Sequence, residues 1–210
     1  MPRTFRLCYI TDRHQLPSES LLVRIQQAIR AGIDLVQIRE KDLTTRELLD
    51  LVKAAMEALG EQATAATRVV VNDRLDVALA AGAHGVHLGT RSMPAQVVRS
   101  HVSADFLMGV SCHSLQEALA AESAGADYLV LGPVFETPSK LAYGPPLGLA
   151  KLQETTARVK LPVLALGGIT LERVKACLEN GAAGIAGIRI FQDCDSLEAR
   201  VRELRAQFAV

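Results

Sequence analysis

Gln37, Arg39 and Lys41 alternate at the end of an apolar run, Leu35-Val36-Gln37-Ile38-Arg39-Glu40-Lys41. In an extended strand, residues two apart point to the same side. Two cations and an amide on one side make a site for a strongly charged anion, because ionised donors bind phosphate oxygens better than neutral ones. The competing reading makes Arg39 and Lys41 rim charges, paired with Glu40 and Asp42. Other apolar runs also end in reactive residues. Val69-Val70-Val71 leads into Asn72-Asp73, which suits a metal–phosphate site or a helix cap. Gly85-Val86 leads into His87, and Met108-Gly109-Val110 into Ser111-Cys112-His113. Histidine titrates near neutrality and suits proton transfer. His113 stands directly before a helix start, where a catalytic role is the stronger reading, whereas a histidine such as His87 is more often structural.

Two later segments suit a second anion. Gly167-Gly168-Ile169-Thr170 opens a helix, and glycines there let backbone N–H groups approach a phosphate near the positive helix terminus. Gly184-Ile185-Ala186-Gly187-Ile188-Arg189 offers a second such turn. Tight turning alone is the plainer explanation of these glycines. Between them and Ser111 runs Phe135-Glu136-Thr137-Pro138-Ser139-Lys140, a loop whose length in a small domain marks a functional lid. A lone loop lysine such as Lys140 is otherwise simply solvated.

These residues must be positioned by the elements they terminate. Strands are predicted at Leu7–Thr11, Leu35–Arg39, Val69–Asn72, Gly85–Leu88, Phe106–Ser111, Tyr128–Val134, Pro162–Gly167 and Gly184–Arg189. Each is short, apolar and largely non-alternating, as in a parallel sheet covered on both faces. Helical stripes lie between them: Leu21, Leu22, Ile25, Ala28 and Ile29, then Leu48, Leu49, Leu51, Val52, Ala55 and Met56. Ser114, three residues before Glu117, has capping-box spacing, and Thr170 suits a cap as well. Ala31-Gly32-Ile33-Asp34 recurs in form as Ala81-Gly82-Ala83-His84, Ala124-Gly125-Ala126-Asp127 and Asn180-Gly181-Ala182-Ala183, where glycine supplies the left-handed turn that ends a helix.

Strand–helix units of about 26 residues predict an α/β fold, a single (β/α)8 TIM barrel spanning residues 1–210. The competing doubly wound sheet would carry a glycine-rich turn after its first strand. Thr11-Asp12-Arg13-His14-Gln15-Leu16 has no glycine. In a barrel, the strand C-termini form the active end, with phosphate commonly held after strands 7 and 8.

Composition narrows the function. The 210 residues carry 23 Lys+Arg and 23 Asp+Glu, so no overall field draws nucleic acid or an anionic membrane. Cys8, Cys112, Cys177 and Cys194 lack CxxC spacing, which points to free thiols in a reducing cytoplasm rather than a metal cage or disulfide framework. The apolar stretch after Arg3 and Arg6 is too short for a signal peptide or membrane span. Oligomeric state is not encoded in any of these features, which leaves a homodimer open.

Six segments in order resemble the thiamin phosphate synthase / thiazole tautomerase family. They are Gln37-Ile38-Arg39-Glu40-Lys41, Val71-Asn72-Asp73-Arg74, His84-Gly85-Val86-His87-Leu88-Gly89, Gly109-Val110-Ser111-Cys112-His113-Ser114, Gly132-Pro133-Val134-Phe135-Glu136-Thr137 and Ala165-Leu166-Gly167-Gly168-Ile169. The resemblance runs from about Leu7 to about Phe191. It implies a small barrel enzyme that joins hydroxymethylpyrimidine pyrophosphate to hydroxyethylthiazole phosphate and releases pyrophosphate. Arg39, Lys41, Asn72 and Lys140 match positions that hold pyrophosphate in such synthases. Gln37, His87 and Ser111 match positions around the pyrimidine, Asp73 a magnesium ligand, and Thr137, Ser139 and Gly168 positions around the thiazole phosphate. The implied mechanism is dissociative, with cations and Mg²⁺ stabilising the departing pyrophosphate while the thiazole nitrogen traps a pyrimidinyl cation.

This chain departs from that pattern twice. A second magnesium-binding aspartate of the family's synthases is replaced by Ser92, in Gly89-Thr90-Arg91-Ser92, and a neutral hydroxyl is a poorer ligand for a hard dication. A serine beside the thiazole phosphate is replaced by Arg189, which can grip that phosphate bidentately or fill its pocket. Three functions follow from the resemblance. The first is a Mg²⁺-using synthase acting on phosphorylated pyrimidine and thiazole substrates. The second is a metal-independent thiazole tautomerase, in which His113 matches the proposed acid/base residue. The third is a non-catalytic regulator that binds thiazole phosphate.

Overall fold

A computed structural model of the chain describes residues 5–16, 20–60, 66–137 and 145–208. Eight parallel strands close into a barrel in sequence order. They are β1 (Leu7–Ile10), β2 (Leu35–Ile38), β3 (Arg68–Asn72), β4 (Gly85–Leu88), β5 (Leu107–Cys112), β6 (Tyr128–Leu131), β7 (Val163–Leu166) and β8 (Gly184–Gly187). The helices around them are α1 (Leu21–Arg30), α2 (Thr45–Gly60), α3 (Leu75–Ala80), α4 (Ala95–His101), α5 (Leu115–Ser123), α6 (Gly148–Thr156), α7 (Leu171–Glu179), α8 (Arg189–Gln192) and α9 (Leu197–Ala206). Among the described residues, no helix is long and apolar enough to cross a membrane.

The uniformly apolar strands hide an alternation. Cys8, Ile10, Leu35, Val70, Leu107, Tyr128, Val130, Leu164 and Ala186 pack together inside the barrel. Their chain neighbours, such as Val36, Val69 and Ile185, pack outward against the buried stripes of the helices. In α1 that stripe is Leu21, Ile25, Ala28 and Ile29, while Leu22 is half-buried; in α2 it is Leu48, Val52 and Ala55. Both faces are therefore covered, as parallel sheets require.

The repeated Ala-Gly-X motif does more than end helices. Gly32, Gly82, Gly125 and Gly181 all have positive φ, from +66° to +84°. The acidic or histidine residue that follows then ties down the barrel floor. Asp34 accepts the amides of Arg6 and Leu7 at 2.9 and 2.8 Å, Asp127 accepts Met108 N–H at 2.7 Å, and His84 Nδ1 accepts Val69 N–H at 3.1 Å. Ser114 caps α5 as expected, accepting Glu117 N–H at 3.2 Å, and Glu117 reaches back to the His113 amide at 2.7 Å. Thr170 occupies the N-cap of α7 without a side-chain bond to its backbone.

Most strand ends need correction: β1 stops at Ile10, β5 runs to Cys112 and β7 stops at Leu166, each one residue from its expected end, and three others bear on the site. β2 closes at Ile38, and a turn at Lys41 takes that lysine out of register with Gln37. β6 stops at Leu131, because Pro133 has no amide to extend the ladder. β8 ends at Gly187, so Arg189 opens α8 instead of closing a strand. The turn is driven by burial: Ile190 and Phe191 fold back into the core immediately afterwards.

Candidate active site at the C-terminal mouth

Alternation carries the polar strand-end residues of β2 to β5 onto the barrel interior. Gln37 and His87 are buried, while Asn72 and Ser111 are half-buried towards the mouth. Asn72 is in register with His87, and His87 with Gly109, two residues before Ser111. Gln37 Nε2 donates to Asn72 Oδ1 at 3.5 Å, and His87 Nε2 lies 2.8 Å from Ser111 Oγ. These four predicted residues therefore form one polar arc.

Arg39 follows directly after β2, half-buried, and its amide donates to Thr11 Oγ1 at 2.9 Å. Its guanidinium makes no ion pair among the described residues. The rim-pairing alternative fails at this position because other groups hold the neighbouring carboxylates. Glu40 is buried and accepts Thr11 Oγ1–H at 2.6 Å and the amide and guanidinium of Arg13 at 3.2 Å each. Asp42 takes a two-toothed contact from Arg13 at 2.6 Å and a contact from His14 at 2.8 Å. Those donors hold the Asp42 carboxyl well below its ordinary range. Lys41 is exposed on the turn and is not aligned with Gln37 and Arg39 by strand geometry.

His87 senses this surrounding charge. Burial pushes its pKa down to about 4, Asp73 opposes that shift, and Arg39 adds to it. The imidazole is therefore neutral near pH 7. Its Nδ1 lies 3.0 Å from the hydroxyl of Tyr128, a fully buried residue whose own ionisation is suppressed, chiefly by burial.

Asp73 is the non-glycine residue with a left-handed backbone among the described residues, at φ +61°. Such strain persists only where the surroundings over-determine it. Here Asn72 Nδ2 donates to one carboxylate oxygen at 2.9 Å, the Ser92 hydroxyl donates to the other, and Gly89 N–H donates to Ser92 Oγ at 2.6 Å. Among the described residues, no group of three or more His, Cys, Asp or Glu side chains could hold a metal. One carboxylate and a hydroxyl still suit Mg²⁺, which commonly uses one or two carboxylates and completes its shell with substrate phosphates and water.

The opposite side of the mouth comes from β7 and β8. Leu166 pairs with Ala186, so the turns that begin at Gly167 and Ile188 are neighbours. Gly167 and Gly168 have φ +96° and +63° and lie directly under the loop after β6. A Cβ on Gly168 would come within 2.5 Å of Glu136 O, and one on Gly167 within 2.5 Å of Pro133 Cβ. Close packing therefore accounts for the glycines, and the tight-turn reading has a physical basis. Phe135 N–H donates to Gly167 O at 3.0 Å, and Arg173 stacks on Phe135 while donating to Gly168 O at 2.7 Å. Ile188 packs against the interior cluster. Arg189 is exposed, with Nη2 3.5 Å from Oγ1 of buried Thr137. Ser139 and Lys140 lie outside the described residues.

His113 stands apart from the polar arc. Its Nδ1 lies 2.5 Å from Gly132 O, and the residue lines a cavity of about 110 Å³ with Leu131, Leu147, Lys151 and Glu154. No hydrogen bond joins it to His87 or Ser111. Sequence reasoning missed Thr11, Glu40 and Tyr128. Tyr128 did leave a trace, since Gly109, in register with it, marks a strand position where another group approaches closely.

The family model described as thiamine monophosphate synthase matches residues 7–191. A relative from Geobacter sulfurreducens named putative thiamine-phosphate synthase is 48% identical over 203 residues, covering 96% of this chain and 93% of its own. A thiamine-phosphate synthase from Clostridium novyi is 37% identical over 204 residues, covering 97% and 98% of the two chains. The solved structure of a thiamine phosphate pyrophosphorylase from Pyrococcus furiosus superposes with a TM-score of 0.85 at 34% identity, covering 97% of this chain and 95% of that one.

Proposed function

The chain belongs to the thiamine monophosphate synthase family, and from that premise we propose that it joins hydroxymethylpyrimidine pyrophosphate to hydroxyethylthiazole phosphate with release of pyrophosphate. It is a transferase. The observation that carries the reading is the two-sided mouth. A polar arc of Gln37, Asn72, His87 and Ser111, with Arg39 beside it, faces Arg189 and the β7 and β8 turns. Two phosphorylated substrates require two such regions. The four free cysteines suit a reducing compartment, and we assign the protein to the cytoplasm.

In this reading the pyrimidine lies on Gln37, His87 and Ser111. Its pyrophosphate lies on Arg39, Asn72, Lys41 and Lys140. The thiazole phosphate takes Thr137, Ser139, the Gly167–Gly168 turn and the Ile188–Arg189 turn. The carbon–oxygen bond to pyrophosphate breaks with both electrons leaving on oxygen. The thiazole nitrogen then donates its lone pair to the resulting carbocation. The residues' contribution is to hold the reactants in line and offset the charge that develops on the leaving group. Arg39 supplies positive charge, and its backbone is anchored through Thr11 and Glu40. Asp73 and Ser92 would hold Mg²⁺, which when bound neutralises charge on the departing pyrophosphate.

The test is direct. Purified protein with both substrates and Mg²⁺ is expected to release pyrophosphate and form thiamin phosphate, and EDTA is expected to stop it. No release at any Mg²⁺ concentration overturns the reading. Isomerisation of thiazole carboxylate phosphate that survives EDTA and vanishes in His113→Ala would instead establish a tautomerase. Binding of thiazole phosphate without turnover in either assay would establish a regulator.

A further inference from the structure

Tyr128, His87 and Ser111 form a row, with 3.0 Å from the phenol oxygen to Nδ1 and 2.8 Å from Nε2 to the serine oxygen. Two proton arrangements satisfy those distances. In the first, the phenol donates to Nδ1 and the Nε2–H donates to Ser111, leaving the serine hydrogen over. In the second, Ser111 donates to Nε2 and the Nδ1–H donates to the phenol oxygen, leaving the phenol hydrogen over. The Tyr128 hydroxyl has no other partner among the described residues, and its side chain is wholly buried. A donor stranded there loses its hydration without compensation. Ser111 is half-buried at the mouth, where its hydrogen can reach solvent or a ligand. The first arrangement is the one that strands no buried donor.

The packing reserves space for this phenol. Gly109 on β5 is in register with Tyr128, and a Cβ there would lie 2.1 Å from Tyr128 Cζ and 2.3 Å from its hydroxyl. Phe5 packs edge-on against the same ring, with centroids 5.5 Å apart. The ring is thus confined on two sides with its oxygen against His87.

We infer that Tyr128 is a positioning residue: its phenol holds His87 in the Nε2–H tautomer, so that Ser111 faces the mouth as a hydrogen-bond donor selective for an acceptor nitrogen on the bound ring. The inference rests on the proposed placement of the pyrimidine beside Ser111. A pyrimidine ring nitrogen is such an acceptor, whereas a ring C–H at the same position leaves the Ser111 donor unpaired.

The experiment combines ¹⁵N imidazole NMR with steady-state kinetics on wild-type protein and Tyr128→Phe, which keeps the ring and removes the oxygen. Wild-type His87 is expected to carry its proton on Nε2, with Nδ1 showing the shift of an acceptor nitrogen. In Tyr128→Phe both tautomers are expected, and KM for hydroxymethylpyrimidine pyrophosphate should rise about tenfold, the equivalent of one lost hydrogen bond. KM for the thiazole phosphate should hold. In a Ser111→Ala background the tenfold effect should disappear, which a general loss of packing would not produce. A wild-type proton on Nδ1 overturns the inference, as does a Tyr128→Phe protein with unchanged tautomer and unchanged KM. If the wild-type protein shows no synthase turnover, the functional reading falls separately, and the tautomer measurement still decides the role of Tyr128.

Discussion

The Ser92 hydroxyl donates to the Asp73 carboxylate while accepting the Gly89 amide, so it occupies one carboxylate oxygen that a cation would otherwise use. Asn72 occupies the other at 2.9 Å. A metal binding here must displace or share those bonds and receives only one full negative charge from the protein. Replacing Ser92 with aspartate is expected to lower the Mg²⁺ concentration for half-maximal binding about tenfold, since ligand charge sets affinity for hard cations. Calorimetry with Mg²⁺ alone, or Mn²⁺ relaxation, would measure it; unchanged affinity would remove position 92 from the metal site.

Thr11 connects two parts of the rim. Its hydroxyl donates to buried Glu40 at 2.6 Å and accepts the Arg39 amide at 2.9 Å. Thr11→Val preserves shape and breaks both contacts. The expected stability loss is about 1–3 kcal/mol, the cost of leaving buried polar groups unpaired. Urea unfolding checks that figure. KM for the pyrimidine pyrophosphate should rise in the same variant, because Arg39 loses its backbone anchor.

Stability should fall in acid through His87. Its native pKa is about 4, below the ordinary value of 6.5, so the unfolded chain binds the additional proton first. Unfolded protein then holds more protons across that interval, and stability rises with pH wherever this is so. The contribution is complete above about pH 6.5 and declines as pH falls toward 4, by about 3 kcal/mol in total. Unfolding titrations from pH 7 to pH 4 should show this slope in wild-type protein and a shallower one in His87→Gln.

The polar arc was legible because it depends on local rules. Strand period two and the barrel's active end suffice to bring Gln37, Asn72, His87 and Ser111 together. The helix-ending glycines were legible for the same reason, each being a single-residue conformational requirement. Errors arose where tertiary burial redirected the chain. Arg189 looked like a strand end because nothing local announces that Ile190 and Phe191 turn back into the core. Lys41 lost its register because Arg13, 28 residues earlier, captures Glu40 and Asp42 and fixes the turn. Tyr128 was hidden among apolar strand residues, since its partner His87 is 41 positions away.

Gly168 and Gly32 offer a controlled comparison. Both have positive φ, +63° and +77°, but a Cβ on Gly32 meets nothing within 4 Å. Gly32→Ala should therefore cost only the left-handed penalty, about 1–2 kcal/mol. Gly168→Ala adds contacts of 2.5 Å to Glu136 O and 2.8 Å to Phe135 Cβ. Overpacking of that kind should cost about 1–3 kcal/mol more. Chemical denaturation of the two variants side by side measures the difference, and equal losses would mean that the loop after β6 yields freely.

Arg189 bears most directly on how the second anion is held. It opens α8 beside the β7 turn, 3.5 Å from Thr137 Oγ1, and pairs with no carboxylate among the described residues. A guanidinium placed at a barrel mouth is suited to a bound phosphate, to which it can present two parallel donors. Arg189→Ala is therefore expected to raise KM for hydroxyethylthiazole phosphate about 10- to 100-fold, equivalent to losing a charge-assisted hydrogen bond. KM for the pyrimidine substrate should not move. Arg189→Lys should recover part of the loss, since it restores charge but not the planar fork. If the side chain instead fills the phosphate pocket, alanine would lower that KM and lysine would leave it intermediate. The sign of the change in initial-rate kinetics thus decides between a phosphate ligand and a plug.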